Sequence, residues 1–187
     1  INVDDEHSDF YWQFPADKKI GFSTKRFTDD IFTATDVKVS VTGTSFTVNN
    51  EEINLKLLGA FNVENALPAI AIAGEEKIDM GTIKKALESI PVVPGRMEVI
   101  DEGQPFSVIV DYAPEPYSMK KMYETVAHVV HVETQNLASP LASNHRNALQ
   151  IIHVLGSCGG GRDRARRPIL GKMAGENANI VIVTNED

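Results

Sequence analysis

The segment GSCGGGRDRARRP, from Gly156 to Pro168, gathers the residue types best suited to holding an anion. Its consecutive glycines Gly159, Gly160 and Gly161 let the backbone approach a ligand, and the helix expected to follow offers N–H groups at its start. Arg162, Arg164, Arg166 and Arg167 add planar donors that match carboxylate or phosphate. A solvated basic helix start, with glycine supplying turn geometry, accounts for the same residues. Placement after the apolar run IIHVLG favours a ligand role, because ligands in open α/β sheets collect at the carboxyl ends of strands.

Asp111 is placed in the same way, closing the run FSVIVDY ahead of Ala113, Pro114 and Pro116. A carboxylate there can accept hydrogen bonds from a ribose, or it can cap the next helix. Asn62 and Asn65, beside Phe61 and Val63, read first as caps of their own helix. His128 and His131 have helical spacing compatible with a metal but no carboxylate or cysteine neighbours to complete a ligand set. Cys158 reads as a small residue near a tight turn, with no paired base to make it a nucleophile. Asp4 and Asp5 read as solvated loop acids, and no metal site is assigned.

The elements that must position these residues fall into two textures. From Lys19 to Leu57 the alternating runs KIGFS, VKVSV, SFTV and INLKL, punctuated by Gly43, Thr44, Asn49 and Asn50, predict a small antiparallel meander. A helix is expected from about Asn62 with a bend at Pro68, then a second over about 81–89 carrying Ile83, Ala86, Leu87 and Ile90 on one face. PVVPGR breaks the pattern and marks a domain boundary. Beyond it the order is strand (FSVIVDY), helix (about 117–130), strand (IIHVLG), helix (about 165–177) and strand (IVIVT). Near-continuous apolar strands imply parallel strands buried on both faces, a Rossmann-like α/β arrangement lacking its last elements. Residues 133–150 read as a long surface loop.

The chain has 187 residues, and its 42% hydrophobic content is enough for a real core. Eighteen Lys and Arg against 26 Asp and Glu, net −8, exclude a general nucleic-acid surface and point to small-molecule partners. No apolar run reaches the ~20 residues of a membrane span. A lone cysteine forms no internal disulfide, so a cytoplasmic site is the default. A first residue Ile1 and an end at TNED, directly after a strand, lead us to expect a piece of a longer protein.

LLGAFNVENALPAIAIA, VPGRMEVIDEGQPFSVIVDYAPEP and GSCGGGRDRARRPILGKMA resemble, in order and spacing, the C-terminal half of the Mur ligases. The likeness extends from about Asn2, where NVDDEH looks like the NADDP segment of the family's central domain, to Asp187. It implies an α/β chain with the end of the central ATPase domain at 1–94, followed by an incomplete Rossmann-like C-terminal domain at 95–187. It also implies an ATP-dependent amide-bond ligase of peptidoglycan synthesis, in the branch that adds lysine or diaminopimelate to UDP-N-acetylmuramoyl-alanyl-glutamate. The implied partners are that UDP-linked peptide, an amino acid and ATP, with Mg²⁺ held mostly by residues outside this chain.

The resemblance also implies residue roles. Asn62 and Asn65 match FNxxN, which approaches the adenine; Arg96 matches the arginine of PGRME beside the nucleotide; Asp111 matches the aspartate of DYAHTP by the ribose. Arg162 matches the arginine of GGDRD facing the carboxylate of the incoming amino acid, and Asp187 matches the Asn of DNP at that site. Departures are Pro114 for the usual histidine, Gly161 for an acid, and TNED for TDDNPR. No GxxGKT-type phosphate loop is found in these residues, so no catalytic residue is assigned and the chain alone is expected not to turn over. A relative with another acceptor, resembling cyanophycin synthetase or folylpolyglutamate synthase, is the alternative enzyme; a degenerate binding module is the alternative outside that class. The oligomeric state is not readable.

Overall fold

A computed structural model describes residues 1–26, 30–136, 150–156 and 164–184, and divides the chain into two compact units, Ile1–Pro94 and Gly95–Asp187.

The first unit opens with a short helix α1 (Ser8–Trp12), then β1 (Gly21–Ser23) and β2 (Ile31–Thr33) pair in parallel. The N-terminal residues lie beside β1 through Val3 N–H to Phe22 O and Phe22 N–H to Ile1 O, both 3.0 Å. KIGFS is therefore not part of the meander predicted for it. Its alternation marks a strand but says nothing about which neighbour it pairs with. Asp4 is not a solvated loop acid either: it accepts from Ser23 Oγ at 2.6 Å and Thr24 N–H at 2.7 Å, fastening the N-terminal segment to the end of β1. Although partial burial opposes ionisation, those hydrogen bonds hold the Asp4 carboxyl below its ordinary value.

The meander itself is β3 (Thr35–Ser40), β4 (Gly43–Val48) and β5 (Glu51–Leu55), antiparallel in that order. Asn49 and Asn50 both adopt positive φ, 49° and 62°, the backbone of a two-residue hairpin turn that asparagine tolerates. Gly43 sits at φ 150° where an added Cβ would lie 2.1 Å from Leu55 O. Period-2 alternation turns Phe46, Val48, Ile53 and Leu55 inward.

Onto them packs α2 (Phe61–Glu75), whose buried Val63, Ala66, Leu67, Ile70 and Ala71 recur at helical spacing. Pro68 lies within this helix and deprives the Glu64 carbonyl of a donor. The next helix, α3 (Met80–Ser89), is capped by Asp79, which accepts from Thr82 N–H at 2.9 Å. Ile83 is buried and Leu87 packs on the same core, whereas Ile90, expected on that face, follows the helix and is exposed.

In the second unit β6 (Glu98–Ile100) and β7 (Val108–Val110) form an antiparallel pair, while β8 (Ile152–Leu155) and β9 (Ile180–Val183) are parallel. The helices α4 (Pro116–Asn136) and α5 (Arg166–Asn177) pack together through Met119, Tyr123 and Leu170. Two expectations fail here. FSVIVDY pairs antiparallel with a strand, Glu98–Ile100, that had no apolar run to announce it. The strands are also not covered on both faces among the described residues: Ile152, Val154, Ile180 and Ile182 are 47–60% exposed. An unbroken apolar run carries no period-2 signal to distinguish a covered face from an open one. The predicted loop at 133–150 is partly helix, because α4 runs on to Asn136; the rest of it up to residue 149 lies outside the described residues.

Candidate functional site

Asn62 enters the first turn of α2 from a bend at Gly59, whose φ is 100°. Its side chain is buried and does not cap the helix: Nδ2 donates back to Leu58 O at 2.8 Å, and Oδ1 accepts from Asn65 Nδ2 at 3.2 Å. The cap reading of these asparagines is thereby corrected. One amide is spent on holding the Leu58–Gly59 bend, and it orients a second, exposed amide on the same helical face.

Arg96 and Asp111 meet at the start of the second unit. Tyr112 N–H donates to Gly95 O at 2.8 Å, and Arg96 Nη1 donates to Tyr112 O at 3.0 Å with its guanidinium 5.8 Å from the Tyr112 ring centroid. Asp111 Oδ2 accepts from Met97 N–H at 2.7 Å, so it ties two chain segments together and does not cap α4. Burial raises the Asp111 carboxyl above its ordinary value, while the Met97 N–H and the Arg96 charge oppose that rise. Only Oδ2 is engaged among the described residues, leaving Oδ1 able to accept from a ligand hydroxyl.

A cavity of about 90 Å³ lies past the ends of β7 and β8, lined by Asp111, Pro114, His153, Gly156, Arg166 and Leu170 among others. It joins Asp111 to both described flanks of the glycine-rich segment. Arg166 is buried and paired through Nη1 with Glu115, which stands in the DYAPEP turn. His153 Nδ1 and Tyr123 Oη share a 2.5 Å hydrogen bond, with ring centroids 5.5 Å apart. Burial lowers His153 and raises Tyr123 from their ordinary values.

The N-terminus of α5 offers an anion less than the sequence promised. Arg167 N–H already donates to Arg164 O at 3.2 Å, and Pro168 has no N–H. Arg162, Asp187 and Cys158 lie outside the described residues, as does the side chain of His131. Among the described residues no three His, Cys, Asp or Glu side chains gather as metal ligands. Within the second unit, Arg96 offers donors and Asp111 an acceptor of the kind a nucleoside sugar uses; no ligand for magnesium is assigned among the described residues.

Sequence reasoning gave no role to Glu115, Met97, Tyr123 or His153. An acid between two prolines, opposite an arginine-rich segment, was the available signal for Glu115. Met97 carried none: its positive φ of 48° is not announced by methionine.

The family model for the Mur ligase middle domain matches residues 1–73. A UDP-N-acetylmuramoyl-L-alanyl-D-glutamate–2,6-diaminopimelate ligase of Syntrophomonas wolfei is 34% identical over all of this chain and 35% of its own length. A UDP-N-acetylmuramyl-tripeptide synthetase of a Roseiflexus species is 35% identical, over all of this chain and 34% of its own length. A solved structure titled as a UDP-N-acetylmuramoyl-L-alanyl-D-glutamate–2,6-diaminopimelate ligase superposes with a TM-score of 0.58 at 29% identity, over 97% of this chain and 35% of that one. Residues 1–73 thus match the Mur ligase middle domain, and the whole chain, an α/β chain with this order of elements, is similar to Mur ligases throughout its length. It spans about a third of the length of the curated relatives it matches.

Proposed function

We propose that these residues are the nucleotide- and amino-acid-binding part of an ATP-dependent ligase that adds the third amino acid to UDP-N-acetylmuramoyl-alanyl-glutamate. The observation that carries the reading is Asp111, held at a strand end by Met97 N–H beside Arg96, with Oδ1 left to accept from a ribose. Residues 1–94 are read as the close of the central ATPase domain, 95–187 as the Rossmann-like C-terminal domain, and the site of action as cytoplasmic.

Bound ATP, with magnesium, supplies the phosphoryl group that turns the peptide carboxylate into an acyl phosphate; attack by the amino-acid amine then forms the amide and releases phosphate. This chain's own residues bind and orient. Asn65, aligned by Asn62, meets the adenine edge; Arg96 and Asp111 fix the nucleoside; Arg162 and Asp187 receive the amino acid. Holding the reactants in register converts an encounter between molecules into a reaction within one complex. Without a GxxGKT-type loop, these 187 residues by themselves are expected not to hydrolyse ATP.

The test is phosphate release by the full-length protein given ATP and UDP-N-acetylmuramoyl-alanyl-glutamate, with lysine or diaminopimelate. Stimulation by one of them supports the reading and names the amino acid. A folded, ATP-binding protein stimulated by neither has another acceptor or no ligase activity.

A further inference from the structure

We propose that Arg166, clamped by Glu115, is an additional anion-binding residue of the cavity past β7 and β8, taking a carboxylate or phosphoryl oxygen.

Arg166 is 92% buried by its 8% relative exposure, yet its Nε has no hydrogen-bond partner among the described residues. A buried guanidinium is tolerated when its donors are matched, and an orphaned donor in such a group is costly. Glu115 answers only Nη1, and its own side chain is 55% exposed, so water weakens its compensation of the buried positive charge. An anionic oxygen entering the 90 Å³ cavity that Arg166 lines would complete what Glu115 leaves unfinished.

The other charged group of the cavity, Asp111, is already bonded to Met97 N–H, and burial favours its neutral form. A ligand that places an anionic oxygen toward Arg166 and a hydroxyl toward Asp111 matches both ends. Glu115 belongs to the part of DYAPEP that departs from the motif DYAHTP, so that motif does not account for the pairing. Assigning the anion to a reacting substrate rests on the ligase reading; the anion site does not.

The test follows the Arg166 Nε–H resonance in the full-length protein, identified by its loss in Arg166→Lys, during separate titrations with inorganic phosphate and with acetate. A saturable shift is expected. Selectivity for phosphate assigns a phosphoryl group, and selectivity for acetate assigns a carboxylate. Arg166→Gln is expected to weaken the preferred anion by roughly tenfold or more. Glu115→Gln, which frees the guanidinium of its competitor, is expected to tighten it by about two- to fivefold. Wild-type protein that shows no saturable shift with either anion overturns the proposal, and so does Glu115→Gln weakening the anion as Arg166→Gln does, the mark of a purely structural pair. A shift that persists while phosphate release fails would sink the ligase reading and leave this site standing.

Discussion

Asp111 Oδ2 accepts the backbone N–H of Met97 at 2.7 Å, and Met97 is both buried and held at a φ of 48°. A backbone conformation that methionine seldom adopts is thus stabilised by a carboxylate 14 residues away, at the end of the strand paired with its own hairpin. Asp111→Ala leaves that N–H unpaired, at about 1–3 kcal/mol in stability, and is expected to weaken ATP use as well.

Asp111→Asn separates the hydrogen bond from the charge, since the amide oxygen still accepts from Met97. Burial raises the Asp111 carboxyl, so the folded protein holds this proton more tightly than the unfolded chain does. The resulting stability is complete below the unfolded value and is lost as pH rises through the higher folded value. Wild-type stability relative to Asp111→Asn is therefore expected to fall as pH rises through that window. Denaturation midpoints of the two proteins, compared from acid to neutral pH, check this; a constant difference refutes it.

The two asparagines of α2 divide structure from ligand contact. Asn62→Ala removes the donor to Leu58 O inside the protein and is expected to destabilise it by about 1–3 kcal/mol. Asn65→Ala alters an exposed amide and is expected to change stability by less than about 0.5 kcal/mol while raising the KM for ATP. Melting curves and ATP kinetics on both variants decide it. Equal melting losses would mean that both side chains serve the bend alone.

Local chemistry was legible in the sequence where it depends on neighbours in the chain. Asn49–Asn50 announced a turn, Phe46 to Leu55 a half-buried meander, and PVVPGR a break where one compact unit ends. Partner choice was not legible: the alternation of KIGFS fits a parallel or an antiparallel neighbour equally, and Glu98–Ile100 is too polar at one end to look like a strand. In the candidate site, strand-end logic picked out Asp111, which the structure places directly after β7; residues 157–163 of the glycine-rich segment lie outside the described residues. That logic did not reveal that Asp111 is committed to Met97, or that Arg166 is the buried one among the described arginines of its cluster. Both facts depend on contacts between residues 14 and 51 positions apart.

Nucleotide and amino-acid contacts are expected to separate by kinetics. Arg96, seated against Tyr112, is assigned to the nucleotide, so Arg96→Ala is expected to raise the KM for ATP. Arg162→Ala is expected chiefly to raise the KM for the amino acid, by roughly tenfold or more for the loss of a charged hydrogen bond. Steady-state kinetics of the full-length enzyme provide the check. An Arg162→Ala enzyme with unchanged amino-acid KM and weakened ATP use would reverse this division of the site.

Tyr123 shares a part-buried hydrogen bond with His153 of the cavity wall, and their opposite shifts bound the pH range in which it is stable. Burial lowers His153, so its neutral form contributes stability above its unfolded value, lost as pH falls through the folded one. Burial raises Tyr123, so its protonated form contributes stability below its unfolded value, lost as pH rises through the folded one. Between those limits the phenol can donate to a neutral imidazole Nδ1 at 2.5 Å, the arrangement that satisfies both groups. Tyr123→Phe keeps the ring and deletes the donor, and is expected to cost about 1 kcal/mol near neutral pH. It also removes the phenol's share of any alkaline loss of stability. A Tyr123→Phe protein that melts like wild type at neutral pH, with an unchanged alkaline limb, would show that the contact contributes nothing to holding β8 against α4.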